Sequence, residues 1–206
     1  MSASGTAVVP AHKDPEAAKI GMWLFLFTEM LLFGGLFIAY AEYRSRYALD
    51  FHRAGQHLNW VLGTINTVIL LTSSLTIAMS LTALAERRKR RTVALVAATA
   101  LLGVAFLVNK YIEWSAEIGH GIYPNSPELL ARPPGEILFF GLYFTMLGLH
   151  ALHVLAGIGV LSVMAVLVAR GRITAQDPAK LDNAALYWHL VDVIWIFLLP
   201  LFYLAA

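Results

Sequence analysis

Cysteine is missing from all 206 residues, which removes disulfides, thiolate metal ligands and thiol nucleophiles together and leaves the redox compartment unreadable. Charge is scarce too: Asp, Glu, Lys and Arg make up 14% of the chain, against about a quarter in an average soluble domain. That is too little to cover a water-facing surface. No stretch alternates polar and apolar residues with period two, so a membrane β-barrel is excluded. No internal repeat relates one part of the chain to another, which argues against an inverted-repeat transporter.

What the chain does have is apolar length: 59% of its residues are hydrophobic. A hydrocarbon core of about 30 Å takes roughly 20 apolar residues in a helix, and backbone groups unsatisfied by lipid permit little else there. Five segments meet that length: 20–40, 60–84, 92–112, 137–169 and 184–205. The expected fold is therefore all-α, a single membrane domain over residues 1–206 with five transmembrane helices. The fourth segment is long enough to tilt or to project from the bilayer. Residues 1–19 form a polar N-terminal segment without the pattern of a cleaved signal peptide, so the first apolar run is expected to stay as a helix. Residues 41–59 and 113–136 read as polar connections, the second rich in Gly and Pro.

Lys and Arg divide unevenly between the two ends of such a bundle. Lys13, Lys19, Arg87, Arg88, Lys89, Arg90, Arg91, Arg170, Arg172 and Lys180 fall on the N-terminal side, and Arg44, Arg46, Arg53, Lys110 and Arg132 on the other. Ten against five places the N-terminus in the cytoplasm and the C-terminus in the periplasm. The run 87–91 reads either as a topological anchor or as a lipid headgroup site.

Ionisable groups inside spans are expensive and need a reason. Glu29 lies ten residues beyond Lys19, about 15 Å along the helix and near mid-membrane. Nothing on its own helix pairs with it. It reads either as a proton-exchanging or lipid-facing acid, or as a neutral carboxyl that joins two helices by hydrogen bonds. His150 and His153 are three residues apart on one helix, a spacing that supplies two metal ligands of the four or so a site needs. His189 and Asp192 repeat that spacing, as a carboxylate orienting a histidine or as interhelical hydrogen bonding. Gly34, Gly35, Gly141, Gly148, Gly157 and Gly159 fall inside spans and read as close-packing positions.

His150, His153 and His189 are the histidines within the spans, too few for the six or so that two haems and a copper require. Paired cysteines for a binuclear copper centre are absent. The expectation is that the chain binds no haem, copper or other metal and has no catalytic residue of its own.

Four motifs nevertheless resemble one family. Tyr187-Trp188-His189-Leu190-Val191-Asp192-Val193-Ile194-Trp195 is similar to the C-terminal signature of subunit III of the haem-copper respiratory oxidases. Gly148-Leu149-His150-Ala151-Leu152-His153-Val154 with Gly157 resembles its paired-histidine helix. Thr28-Glu29-Met30-Leu31-Leu32-Phe33 resembles the helix with its buried acid, and Lys110-Tyr111-Ile112-Glu113-Trp114 a further acidic motif. All four occur in the family's order and span nearly the whole chain. Members have seven helices or five, and this chain resembles the short form.

The resemblance implies an accessory, non-redox subunit of a proton-translocating cytochrome c oxidase in the cell inner membrane. Haem and copper would be held by partner subunits, with this chain packed beside the catalytic subunit I. It implies two helix groups about a V-shaped cleft filled with structural phospholipid. It also implies a role in sustaining proton uptake and protecting the enzyme in turnover, and a path for oxygen through the cleft. Carried onto this sequence, Glu29 is the buried acid at the cleft, and Glu113, His150, His153, His189 and Asp192 form an intramembrane polar network. Asp192→Asn is then expected to weaken assembly. A quinol oxidase or nitric oxide reductase partner fits the same motifs, and a stand-alone transporter or assembly factor is the alternative from another class.

Overall fold

A computed structural model describes residues 15–204 of the chain. The polar segment expected over 1–19 lies outside the described residues as far as residue 14, as does the end of the fifth expected span. The described chain is helical nearly throughout. α1 (Pro15–Arg46), α3 (Trp60–Ala85), α4 (Lys89–Gly119), α6 (Pro134–Ala169) and α7 (Ala179–Leu199) are each long and apolar enough to cross a bilayer. The short helices α2 (Ala48–Gly55) and α5 (Pro127–Leu130) lie in the two polar connections, and a π-helical turn, Pro200–Leu204, ends the described chain.

α3 and α4 form an antiparallel pair whose facing residues are legible as a stripe. On α3, Gly63, Asn66, Leu70, Ser73, Ile77, Ser80 and Leu84 are buried, in alternating steps of three and four. On α4 the same steps bury Thr92, Val96, Thr99, Gly103, Phe106, Lys110, Glu113 and Glu117. This is the period of a helix–helix seam, and its small and polar residues let the two backbones approach. The bulky side chains Ile65, Val68, Leu71 and Leu75 point outward, as a lipid solvent requires.

The seam also corrects an expectation. The third span does not end at residue 112: α4 continues for two further turns, so Lys110 and Glu113 are seam positions inside a helix and not the start of an outer loop. With Lys110 removed from the outer side, the division of loop cations becomes ten against four. The connection 41–59 likewise contains the last turn of α1 and all of α2.

α4 packs on α6, α6 on α7, and α7 on α3, closing a ring of four helices. α7 is the most enclosed, burying residues on nearly every side from Leu181 to Leu198. α1 leans against α6 and α7 from outside, burying Leu26, Phe33 and Tyr40, one residue every seven. Apolar grooves flank it, and the one toward α7 runs from Trp23 and Leu26 to Phe37 on one wall and from Leu186 to Phe197 on the other.

At the far end, rings close the bundle edge to face. Tyr40 meets Phe51 at 5.3 Å and Phe202 at 5.1 Å between ring centroids, and Phe51 meets Phe139 at 5.4 Å. Tyr40 also donates its hydroxyl to the Leu201 carbonyl at 2.6 Å. Pro200 lacks an amide hydrogen and cannot continue the ordinary helical ladder, and the turn that follows widens to the π form. That turn carries Tyr203 into the interior.

Candidate functional site

The polar residues expected within the membrane gather in separate places. Glu29 and His153 meet across α1 and α6: His153 Nε2 lies 2.9 Å from Glu29 Oε2, and each side chain is 15% exposed. His153 Nδ1 lies 2.8 Å from the Leu149 carbonyl. A carbonyl oxygen only accepts, so Nδ1 carries a hydrogen. Nε2 and the carboxyl then share one proton, either as acid and imidazole or as carboxylate and imidazolium. Tyr187 donates its hydroxyl to the His153 carbonyl at 3.1 Å, and Phe33 packs edge-on against the imidazole. Another helix thus supplies the partner that Glu29 lacks on its own. Glu29 does not line the groove between α1 and α7; it faces α6.

The second place lies inside the ring of four. Lys110 Nζ is 3.1 Å from Glu113 Oε1, and both side chains are 3% exposed. Tyr143 of α6 donates to the same carboxylate oxygen at 2.6 Å, and Tyr203 of the π turn at 2.5 Å. The ammonium in turn donates to the Tyr203 hydroxyl at 2.7 Å and the Tyr143 hydroxyl at 3.3 Å. Four ring faces surround the cation at 5.2 to 5.8 Å: Tyr143, Tyr203, Trp195 and Trp114. Opposite charges and two hydroxyls converge on Glu113 Oε1 where packed rings exclude water, while Glu113 Oε2 meets no hydrogen-bond partner in the protein.

His150 does not join His153. Its imidazole turns into the bundle, against Trp195 at 5.4 Å and Phe106 at 5.6 Å, with neither ring nitrogen bonded to a protein group. Three residues advance a helix by about 300°, and here that rotation separates the two rings between different neighbours. The two imidazoles therefore face different neighbours. His189 and Asp192 converge on one residue: His189 Nδ1 meets Ser74 Oγ of α3 at 2.7 Å, and the Asp192 carboxyl lies beside the same serine with no well-aligned hydrogen bond of its own. Asp192 makes no direct hydrogen bond to His189, which reaches across to α3 through Ser74, and the five residues expected as one network share no direct hydrogen bond among the described residues.

Several partners had not been singled out. Lys110 falls at the end of the expected third span and counts with the outer-side cations, although its spacing of three from Glu113 within a helix is the available signal. Tyr143 and Tyr203 had no local cue, because their role depends on where α6 and the π turn lie. Of the span glycines, Gly157 packs tightly: a Cβ there would sit 2.8 Å from Trp188, and one at Gly103 would sit 2.6 Å from the same ring. Gly34, Gly35, Gly141 and Gly159 have no neighbour of this chain within 4 Å, and Gly148 has only Trp114 at 3.8 Å.

Five apolar helices, with buried polar groups tied across them, define a multi-pass membrane protein. Comparison with known sequences then assigns it: residues 9–206 match the family cytochrome c oxidase subunit III, and the chain belongs to that family. It is similar to cytochrome c oxidase subunit 3 of Thermostichus vulcanus, with 32% identity covering 99% of this chain and 96% of the relative. It is similar to the same degree, 32%, to cytochrome bo(3) ubiquinol oxidase subunit 3 of Pseudomonas aeruginosa, covering 94% and 88% of the two chains. A probable quinol oxidase subunit 3 of Staphylococcus haemolyticus is 29% identical over 99% of this chain and 96% of its own. Family membership makes this chain a subunit III of the haem-copper oxidases, associated with other oxidase subunits.

Proposed function

We propose that the chain is the non-redox subunit III of a cytochrome c oxidase that couples oxygen reduction to proton translocation. In this reading it lies in the cell inner membrane, N-terminus in the cytoplasm and C-terminus in the periplasm, beside a catalytic subunit I that holds haem and copper. The observation that carries the proposal is the Glu29–His153 contact, which joins a carboxyl of α1 to an imidazole of α6 at 2.9 Å within the spans. A group so placed adjusts proton or lipid behaviour close to subunit I and touches no reacting atom. The cytochrome c assignment rests on the relative of nearly equal length. A quinol oxidase is the second reading, favoured by the ubiquinol oxidase relative of equal identity. Phospholipid is the proposed occupant of the groove between α1 and α7, whose walls are apolar apart from His189.

The deciding measurement is a reduced-minus-oxidised spectrum of what copurifies with the tagged chain, followed by oxygen uptake with reduced cytochrome c and with quinol. An a-type haem and cytochrome c oxidation support the proposal, whereas oxygen uptake with quinol alone moves the chain to the second reading. Haems of b and c type with nitric oxide reduction, or no haem at all, would reject both. The Glu29 role is tested in the purified complex by Glu29→Gln. Unchanged turnover, proton pumping and lipid content would remove it.

A further inference from the structure

Three of the long helices end in the same way, and one of them uses an unexpected residue. α4 and α6 finish with paired backbone hydrogen bonds, Ile122 N–H to Glu117 and Gly121 N–H to Ile118 in one, Arg172 N–H to Leu167 and Gly171 N–H to Val168 in the other. The residue at the turn must adopt positive φ, and both helices place glycine there, Gly121 at 77° and Gly171 at 71°. α3 makes the same pair of bonds, Arg88 N–H to Ala83 and Arg87 N–H to Leu84. Its turn residue is Arg87, at φ 58°. An arginine held where its Cβ crowds the backbone is unfavourable relative to glycine. Something other than the turn accounts for that side chain.

Arg87 borders a pocket of about 300 Å³ between the α3–α4 turn and the α6–α7 connection. Arg87 and Lys89 line it on one side, with Thr174 and Gln176 on the other and Leu84 and Val168 as apolar lining. Seven cations, at 87–91, 170 and 172, gather at this end of the bundle. Among the described residues only Arg88 has an ion-pair partner, Glu86 at 3.1 Å. Arg87 and Lys89 form none. The pocket sits at the ends of apolar spans, which is where a bilayer presents its headgroups.

We propose that this pocket binds the phosphate-bearing headgroup of an anionic phospholipid, with Arg87 and Lys89 as its cationic ligands. Thr174 and Gln176 offer hydrogen bonds to the headgroup oxygens. Ala175 and the methylene stems of Arg87 and Lys89 offer apolar contact to the glycerol and the first methylenes, a feature of use to an amphiphile and of none to free phosphate. The inference is independent of which electron donor the complex uses. It places a lipid site at one end of the bundle, away from the groove beside α1.

The test uses the full chain with its assembled partners, exchanged into nanodiscs of phosphatidylglycerol and phosphatidylethanolamine, with retained lipid counted by mass spectrometry. Each basic residue at a membrane surface is worth about fivefold in anionic lipid affinity. Arg87→Gln with Lys89→Gln should therefore weaken phosphatidylglycerol retention about thirtyfold. Arg90→Gln with Arg91→Gln, outside the pocket lining, should weaken it less. Equal loss from both pairs would show a diffuse field and overturn the site. Displacement of the retained lipid by inorganic phosphate would overturn the lipid assignment in favour of a free anion. Arg87→Gly guards against a folding artefact, because it relieves the positive-φ crowding. It should assemble and melt at least as well as the parent while losing about fivefold in retention. Unchanged retention in Arg87→Gly, or a lowered melting point, would refute the role given to Arg87.

Discussion

His153 and Glu29 are 124 residues apart along the chain and 2.9 Å apart in space, and their contact is a polar tie between α1 and the ring of four helices. Apart from this tie, α1 buries little more than Leu26, Phe33 and Tyr40. Glu29→Leu leaves His153 Nε2 without a partner and should lower stability by about 1 kcal/mol. Glu29→Gln keeps a donor opposite Nε2 and should lower it by much less. Thermal unfolding of both variants in one detergent checks this. An unchanged midpoint in Glu29→Leu would mean that the apolar stripe alone holds α1.

Lys110 and Glu113 are the most demanding pair in the molecule, because both are buried and each neutralises the other. Lys110→Met leaves a carboxylate among rings and hydroxyls, and Glu113→Gln leaves an ammonium there. Each single change should destabilise by about 3–5 kcal/mol, the range for breaking a buried pair. The double variant should recover much of that loss, since no uncompensated charge remains. A double-mutant cycle on unfolding midpoints reads the coupling, and strict additivity would show that the pair contributes nothing jointly.

Trp188 is gripped by two backbones that lack a Cβ. Gly103→Ala and Gly157→Ala each place a methyl carbon within 3 Å of its ring, which is rigid and fully buried. Each should lower stability by about 1–3 kcal/mol through overpacking. Gly34→Ala and Gly141→Ala meet nothing within 4 Å and should be tolerated. Assembly yield and melting of the four variants separate packing glycines from incidental ones.

His189 hydrogen-bonds Ser74, and Asp192 lies beside the same serine without bonding His189 directly. Ser74→Ala removes the interhelical partner and should weaken the α3–α7 contact by about 1 kcal/mol. Asp192→Asn keeps a polar group beside Ser74 and breaks no direct bond to His189, so it should have the smaller effect on assembly. The opposite order would restore Asp192 as the residue that orders this part of the bundle.

The resemblance identified the family and named six of the residues that the bundle encloses or ties across helices, but it left their partners open. Glu113 was visible as an acid, while Lys110 beside it was assigned to the outer side because a cation after an apolar run ordinarily marks the end of a span. A charge in mid-seam is permitted only by an opposite charge and by hydroxyls from other helices, and neither is a local property. For the same reason His150 and His153, one spacing on paper, face different neighbours. Helix rotation turns three residues into a 60° divergence, and packing decides what lies along each direction.

From its sequence by itself this protein was determined to be a membrane protein of five helices. Apolar length, the scarcity of charge and the demand that backbone groups be satisfied in lipid are all local to each segment. Only the tertiary structure decided that α4 runs on through Lys110 and Glu113, that Glu29 meets His153, and that the π turn brings Tyr203 to a buried ion pair. Those outcomes depend on which faces of distant helices come together. That is a property of packed surfaces, and no single segment contains it.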